Sequence, residues 1–169
     1  MDELGRKSVE EFKNADKPSV VVVLDNVRSM HNVGSVFRTS DAFLIQSLHL
    51  CGYTPQPPHR DIHKTALGAT ETVEWKYHNS TIDAIHYLKE LGYTIMAVEQ
   101  ARGSISLDKY TPHAKLAVVF GNEVEGVAED VLAICDGCIE IPQFGTKHSL
   151  NISVAAGIVL WEITRKTLL

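Results

Sequence analysis

Residues 18–43 read PSVVVVLDNVRSMHNVGSVFRTSDAF, and this stretch determines the predicted fold class. The apolar run Val20 to Leu24 is too short for a helix and too uniform for a half-exposed strand, so it predicts a buried parallel strand. A polar loop follows, and Asn32 is a suitable cap for a helix from Val33 to about Phe43. This succession of strand, loop and helix is the repeating unit of α/β proteins.

The same alternation continues along the chain and predicts an α/β fold, with a mostly parallel sheet covered by helices on both faces. Further strands are expected at residues 46–51, 72–75, 93–98, 116–120 and 139–141. Further helices are expected within 59–70 and at 82–91, 127–134 and 149–168. Residues 1–17, with Leu4, Val9 and Phe12 at helical spacing, are predicted to form an N-terminal helix or arm, and residues 18–169 a single domain.

The composition is that of one soluble globular domain, with 169 residues, 44% hydrophobic residues and 22% charged residues. The chain has no apolar stretch of membrane-spanning length, and its first residues are too polar for a signal peptide. The chain has three cysteines, a small and odd number that does not suit a disulfide framework. This favours a reducing compartment. We therefore expect a cytoplasmic protein.

Three loops follow the carboxyl ends of predicted strands, where open α/β sheets bind their ligands. They span residues 25–41, 120–130 and 141–153 and are rich in small and amide side chains. None of them contains the G-x-x-x-x-G-K-[ST] phosphate loop or the G-x-G-x-x-G dinucleotide pattern. A nucleoside triphosphatase or an ordinary dinucleotide enzyme is therefore disfavoured.

Each of the three loops contains a motif. The first is N-x-G-x-x-x-R-T, the second is F-G-N-E-x-x-G, and the third is I-P-x-x-G-x-x-x-S-L-N-x-S-V-A-A-G; they begin at Asn32, Phe120 and Ile141. In this order the motifs resemble those of the SpoU/TrmH family of RNA ribose 2′-O-methyltransferases, in the SPOUT superfamily. The resemblance covers residues 18–166, nearly the whole chain.

The resemblance implies a C-terminal deep trefoil knot, the SPOUT fold, which composition alone does not predict because knots are rare. It also implies a pocket for S-adenosylmethionine where residues 120–126 and 139–151 meet. Members of this family bind the cofactor largely through main-chain groups of these loops. The corresponding positions here are Gly121, Asn122, Ile141 and Leu150.

The resemblance further implies methylation of a ribose 2′-hydroxyl in structured tRNA or rRNA, with Arg38 as the principal catalytic residue. Asn32, Ser149 and Asn151 are short polar groups suited to hold the hydroxyl, and Glu123 is suited to orient Arg38 or Asn32. Neutralising a guanidinium at pH 7 would cost at least about 7 kcal/mol. We therefore interpret Arg38 as a charged clamp that binds phosphate and stabilises the developing alkoxide.

The chain has 16 basic and 21 acidic residues, so an RNA surface must be local or completed by a second subunit. We predict RNA contacts at Arg28, His31, Arg38 and Lys64, and the resemblance implies a homodimer with active sites near the interface. Further basic side chains for this surface are Arg60, Arg102, Lys147 and His148. Transfer from a sulfonium needs no metal, so none is expected.

Two alternative functions stay open at this point. The first is a knotted module that binds RNA or S-adenosylmethionine without turnover. The second is a thiol oxidoreductase that uses Cys135 and Cys138, although the absence of a second cysteine pair favours structural cysteines. His59 and His63 have the spacing of two metal ligands, but no third ligand is evident.

Overall fold

A computed structural model describes residues 5–169 and shows seven strands in one sheet, in the order β3-β2-β1-β6-β4-β7-β5. Every pair of neighbouring strands is parallel. The strands are β1 (Ser19–Asp25), β2 (Ser47–Cys51), β3 (Glu74–His78), β4 (Thr94–Val98), β5 (Ile105–Ser106), β6 (Lys115–Phe120) and β7 (Gly137–Glu140). The predicted parallel α/β sheet is thus confirmed.

Seven helices connect and flank the strands in the described part of the chain. They are α1 (Val9–Asn14), α2 (Met30–Ala42), α3 (Arg60–Ala66), α4 (Ala69–Thr72), α5 (Thr81–Glu90), α6 (Glu129–Ile134) and α7 (Ile152–Leu168). Helix α1 lies within the predicted N-terminal arm of residues 1–17, whereas Leu4 lies outside the described residues. No helix between residues 5 and 169 combines the length and the apolar character that a membrane crossing requires.

The sheet is buried on both faces, as the uniform run in β1 predicts. Val20, Val22 and Leu24 pack with residues of α2 and α7 on one face, and Val21 and Val23 pack with residues of α5 and α6 on the other. All five of these apolar side chains of β1 are buried. Because neither face meets water, alternation of apolar and polar residues is absent from this strand.

Several boundaries differ from those predicted. Helix α2 begins at Met30, because the Ser29 hydroxyl accepts the N–H of Asn32 and thereby caps the helix three residues earlier than expected. Helix α7 begins at Ile152 with Asn151 as its cap, so Ser149 lies in the preceding loop. Strand β3 begins two residues later than expected. The two-residue strand β5 lies in a segment predicted as loop, where it is too short to give a periodic pattern.

Candidate active site

A cleft of about 450 Å³ opens at the carboxyl ends of three neighbouring strands, β6, β4 and β7. The loop after β6 and the segment from the end of β7 to the start of α7 form most of its wall, as predicted. The end of β4 contributes Val98, and the loop after it contributes Glu99 and Gln100; these residues were not predicted to take part. A polar pair directly after an apolar strand is the signal that could have identified them.

The turn after β6 is held by the side chain of Asn122. Its Nδ2 donates to the carbonyl oxygen of Asn26 at 2.8 Å, and its Oδ1 accepts the N–H groups of Val124 and Glu125 at 2.9 and 3.2 Å. Backbone hydrogen bonds between Asn122 and Gly126 close the turn. The side-chain amide of Asn122 therefore fixes the turn, which leaves main-chain groups of the turn to line the cleft.

Gly121 allows the turn to fold back on itself. A Cβ at this position would collide with the backbone of Gly126 and Val127. Glu99 supports the other side of the turn, since its Oε2 accepts the N–H of Val127 at 3.2 Å. Its Oε1 accepts the N–H of Gln100 at 3.1 Å, so the carboxylate links the loops after β4 and β6.

A hydrogen-bond network joins the three motifs at the rim of the cleft. Asn32 donates through Nδ2 to Oε1 of Glu123 at 3.1 Å. Asn151 donates through Nδ2 to Oδ1 of Asn32 at 3.3 Å. One side chain from each motif thus takes part, although the three residues are separated by up to 119 positions in sequence.

Glu123 anchors this network at the start of α2. Its carboxylate accepts the backbone N–H groups of Arg28 and Ser29 at 3.2 and 3.1 Å. Partial burial acts to raise the pKa of Glu123, but the hydrogen bonds from Asn32 and the backbone outweigh it and lower the pKa below its ordinary value. The group is therefore an anion at neutral pH and lies where the helix dipole stabilises it.

Helix α7 brings the third motif to the same rim. Asn151 caps the helix, because its Oδ1 accepts the N–H groups of Ser153 and Val154 at 2.9 and 3.4 Å. Ser149 and Leu150 are exposed and line the cleft together with Ile141. The predicted cofactor positions Gly121, Asn122, Ile141 and Leu150 therefore share one cleft.

Arg38 occupies a different position from the rest of the predicted catalytic set. It is exposed in the middle of α2 and does not line the cleft. Within residues 5–169 its guanidinium has no carboxylate partner and donates no hydrogen bond. The seven-residue spacing places Arg38 on the same stripe of α2 as His31, whereas Asn32 faces Glu123. Glu123 was expected to orient Arg38 or Asn32, and the residue that it contacts is Asn32.

The predicted RNA-contact residues Arg28, His31 and Lys64 are all exposed. Helix α3 brings Lys64 towards the start of α2, because Thr65 donates its hydroxyl to the carbonyl oxygen of His31 at 2.9 Å. Lys64 also pairs with Asp61 at 3.4 Å, which offsets part of the local positive charge. The two helices approach closely at Gly34, where a Cβ would collide with backbone and side-chain atoms of α3.

The cysteine and histidine pairs have surroundings that oppose the alternative chemistries. Burial raises the pKa of Cys135 to about 12 and also raises that of Cys138, whereas a redox-active cysteine needs a lowered pKa. His59 caps α3 by accepting the N–H of Asp61 on Nδ1 at 3.1 Å. This contact gives His59 a structural role, and the two partly buried thiols resemble structural cysteines.

The parallel sheet, the cleft at its carboxyl edge and the three motifs along that cleft define an α/β protein of the SpoU class. The model of the SpoU rRNA Methylase family matches residues 19–161. The chain therefore belongs to this family, as its motifs predicted.

Curated relatives are similar over most of the chain. A tRNA (guanosine(18)-2′-O)-methyltransferase of Thermus thermophilus is 36% identical over 169 residues, which cover 98% of this chain and 84% of that protein. The protein of the same name from Escherichia coli is 29% identical, and the match covers 89% of this chain and 65% of the relative.

Solved structures are similar as well. The TrmH/SpoU tRNA modifying enzyme of A. aeolicus superposes with a TM-score of 0.83 and 26% identity, over 94% of this chain and 80% of that one. The AdoMet-bound rRNA methyltransferase of Sinorhizobium meliloti gives a TM-score of 0.84 and 27% identity, over 93% of this chain and 60% of that one.

Proposed function

We propose that the protein transfers a methyl group from S-adenosylmethionine to a ribose 2′-hydroxyl in structured tRNA or rRNA. The observation that supports this most strongly is the network of Asn32, Glu123 and Asn151, which joins all three motifs at the rim of one cleft. The relatives named above act on tRNA or rRNA, and one of the similar structures contains AdoMet.

The cleft fits this cofactor in size and charge. Its volume of about 450 Å³ lies within the range of small-molecule pockets. Glu99 and Glu140 line it, and carboxylates complement the positive sulfonium and ammonium groups of S-adenosylmethionine. Main-chain groups at Gly121, Ile141 and Leu150 would hold the cofactor, with Asn122 fixing the turn. When bound, S-adenosylmethionine supplies an electrophilic methyl group.

The polar residues at the rim of the cleft hold the ribose. Asn32 and Asn151 are fixed by their mutual hydrogen bond and by Glu123, so a hydroxyl that binds them meets groups of defined orientation. Ser149 adds an exposed hydroxyl on the adjoining loop. Positioning of this kind can supply much of the rate enhancement. Arg38, as a charged guanidinium, clamps a phosphate of the RNA and stabilises the emerging alkoxide.

The C-terminal segment is proposed to form the trefoil knot of the family. Strand order supports this, because β7 lies between β4 and β5, which residues 99–104 already connect. Strand β7, residues 137–140, thus lies between two strands that follow each other directly in the chain. To reach this position, the chain must pass the segment that connects β4 to β5. The following loop then returns to the cleft before α7 packs against α2.

We also propose a homodimer in the cytoplasm. Helix α7 leaves Val154, Ile158 and Trp161 from 38% to 50% exposed along one stripe, and Trp161 contacts Phe43 of α2 with ring centroids 5.8 Å apart. An apolar stripe of this kind on a helix near the cleft is suited to a second copy of the chain. A second copy would also enlarge the basic surface that an acidic chain offers to RNA.

The test is incubation of the purified protein with methyl-labelled S-adenosylmethionine and total RNA from a strain that lacks the gene, followed by mapping of the label. The proposal predicts label on a ribose 2′-oxygen of tRNA or rRNA. Label on a base contradicts the assigned chemistry. Binding of both ligands without transfer would identify the non-catalytic module instead.

A further inference from the structure

A second cleft of about 410 Å³ lies at the carboxyl ends of β1, β2 and β3. Asp25, Tyr53, Tyr77, Asn79 and Asp130 are among the residues that line it, and the start of α5 forms one wall. None of the three motifs that define the family contributes to its lining. The cleft combines aromatic rings with hydrogen-bonding groups, which is the composition of a ligand site.

One exposed side chain of this cleft is an aromatic ring on a fixed loop. Tyr53 is 79% exposed, yet its backbone N–H donates to Oδ1 of Asn26 at 2.8 Å. The preceding carbonyl, of Gly52, accepts the hydroxyl of Tyr77 at 3.0 Å. Contacts from the end of β1 and from β3 thus hold the loop on both sides of β2. A planar ligand that stacks on Tyr53 therefore does not have to order the backbone of this loop first.

We propose that this second cleft binds an unpaired nucleobase of the RNA, stacked on Tyr53. The inference rests on the proposed function, since it assigns a recognition site to the RNA that is methylated. Sequence-specific recognition of RNA targets unstacked bases, which stack on aromatic side chains and form hydrogen bonds through their edges.

The charges of the cleft select a base rather than a phosphate. Asp25 is buried, and its oxygens accept the Thr81 hydroxyl at 2.6 Å and the Ala128 N–H at 3.0 Å. Asp130 is exposed and accepts only the N–H of Val131 among the described residues, so acceptor positions remain for a ligand. Two carboxylates repel phosphate, whereas the exposed carboxylate of Asp130 can accept N–H groups from guanine, cytosine or adenine.

The position of the second cleft is suited to a nucleotide close to the methylated one. Asn26 contacts both sites. Its side-chain Oδ1 accepts a hydrogen bond from the backbone N–H of Tyr53, and its carbonyl oxygen accepts one from Nδ2 of Asn122 at 2.8 Å. Three residues further on, Ser29 donates to Glu123 in the network at the first cleft. Three Cα steps span at most about 11 Å, so the two sites are neighbours.

The experiment measures the affinity of the full chain for unfractionated tRNA and rRNA from a strain that lacks the gene, by filter binding at several salt concentrations. Tyr53→Ala is expected to weaken binding by about fivefold or more, with an unchanged salt slope, because a stacking contact and not a phosphate contact is lost. Tyr53→Phe keeps the ring and should change affinity by less than about twofold.

Two carboxyl variants on α6 form a matched pair. Asp130→Asn replaces one acceptor oxygen in the cleft by an NH₂ group and should weaken RNA binding by about fivefold or more. Glu129→Gln makes the same change at the neighbouring exposed residue, outside the cleft lining, and should have less than about twofold effect. Thermal unfolding of each variant shows that the fold is intact.

The inference is overturned if Tyr53→Ala binds as wild type does, if Tyr53→Phe binds as weakly as Tyr53→Ala, or if the salt slope falls by about one. A wild-type chain that binds no RNA also overturns it. Because binding is measured without methyl transfer, failure of the proposed function is separable. A protein that binds RNA through Tyr53 but transfers no methyl group retains this site and loses that function.

Discussion

The side-chain amide of Asn32 forms hydrogen bonds with two segments that are distant in the chain. Its Nδ2 donates to Glu123, and its Oδ1 accepts from Asn151. This is possible because Ser29 caps α2 and leaves the Asn32 side chain free of that task. A single serine at the start of the helix therefore decides whether the first motif can contact the other two.

Glu123→Gln tests the anchor of this network. The variant removes a negative charge from the start of α2 and presents an NH₂ group to backbone donors. We expect the free energy of unfolding to fall by about 1 kcal/mol. Methyl transfer should fall as well, because Asn32 loses its fixed orientation. Chemical denaturation and transfer rates provide the measurement, with Glu125→Gln as the control for stability; equal stability of the two variants would contradict the anchoring role.

Arg38→Ala tests the charged clamp. Loss of a group that stabilises developing negative charge typically lowers kcat by about a hundredfold or more. Arg165→Ala removes an exposed arginine that pairs with Glu162 on α7 and should leave kcat unchanged. Steady-state kinetics with labelled cofactor decide the matter. Turnover of Arg38→Ala at the wild-type rate would show that the assignment is wrong.

At the scale of elements, strands β2 and β3 are joined by two buried histidines. Nδ1 of His49 lies 2.8 Å from Nε2 of His78, and the rings stack with centroids 5.1 Å apart. Burial lowers the pKa of His49 to about 4, and burial also lowers the pKa of His78. Both imidazoles are therefore neutral at pH 7, with one hydrogen bond between them.

Stability is expected to depend on pH through this pair. In the unfolded chain His49 titrates near 6.5, so between pH 6.5 and 4 the unfolded state binds more protons and stability falls as pH falls. The loss attributable to His49 approaches about 3 kcal/mol at pH 4. Denaturation of wild type and His49→Leu across this range tests the expectation. The exposed His86→Gln is the control, and a wild-type slope in His49→Leu would refute the assignment.

Gly157 lies on the apolar stripe of α7, three residues after Val154 and four before Trp161. Among residues 5–169, a Cβ there would meet no atom within 4 Å apart from the nearby backbone of its own helix and the adjoining residues. If α7 faced only solvent, Gly157→Ala would stabilise the fold by about 1 kcal/mol. In the proposed homodimer a partner backbone approaches this stripe, so we expect the variant to weaken the dimer. Sedimentation equilibrium of wild type and variant measures this; equal dimer affinity would argue against α7 as the interface.

For the whole molecule, the net charge of -5 means that RNA must approach a local basic edge. Arg28, His31 and Lys64 are exposed near the start of α2, next to the rim of the first cleft. The acidic remainder of the surface repels phosphates elsewhere. We propose that this charge distribution directs RNA to the edge of the sheet on which both clefts open.

Lys64→Ala should reduce the salt dependence of RNA binding. A lysine that neutralises one phosphate contributes about one unit to the slope of log K against log salt. The expected slope is therefore smaller by about one, with weaker binding at low salt. Lys89→Ala, which removes a lysine of α5 that lies near Asp136, should leave the slope unchanged. Equal slopes for the two variants would remove Lys64 from the RNA surface.

Much of the fold follows from local patterns. The uniform apolar run of β1 predicted a strand buried on both faces, and it lies between β2 and β6 in the sheet. Helix α5 begins at Thr81, one residue before the predicted start. Boundaries were predicted less well where two polar residues competed for the same cap, as at the starts of α2 and α7.

The candidate site was predicted in part, since the loops after β6 and β7 were expected to meet and do so. Glu99 was missed because no motif marks it, and the second cleft was missed because its residues come from six separate segments.

The sequence by itself determined the parallel α/β class, the family and the three motif loops, because periodicity and motif residues are local properties of the chain. Only the tertiary structure decided that Asn32 contacts Glu123 and Asn151 while Arg38 does not line the cleft. The physical reason is that such contacts depend on strand order and on helix caps, which bring together or separate residues that are about a hundred positions apart.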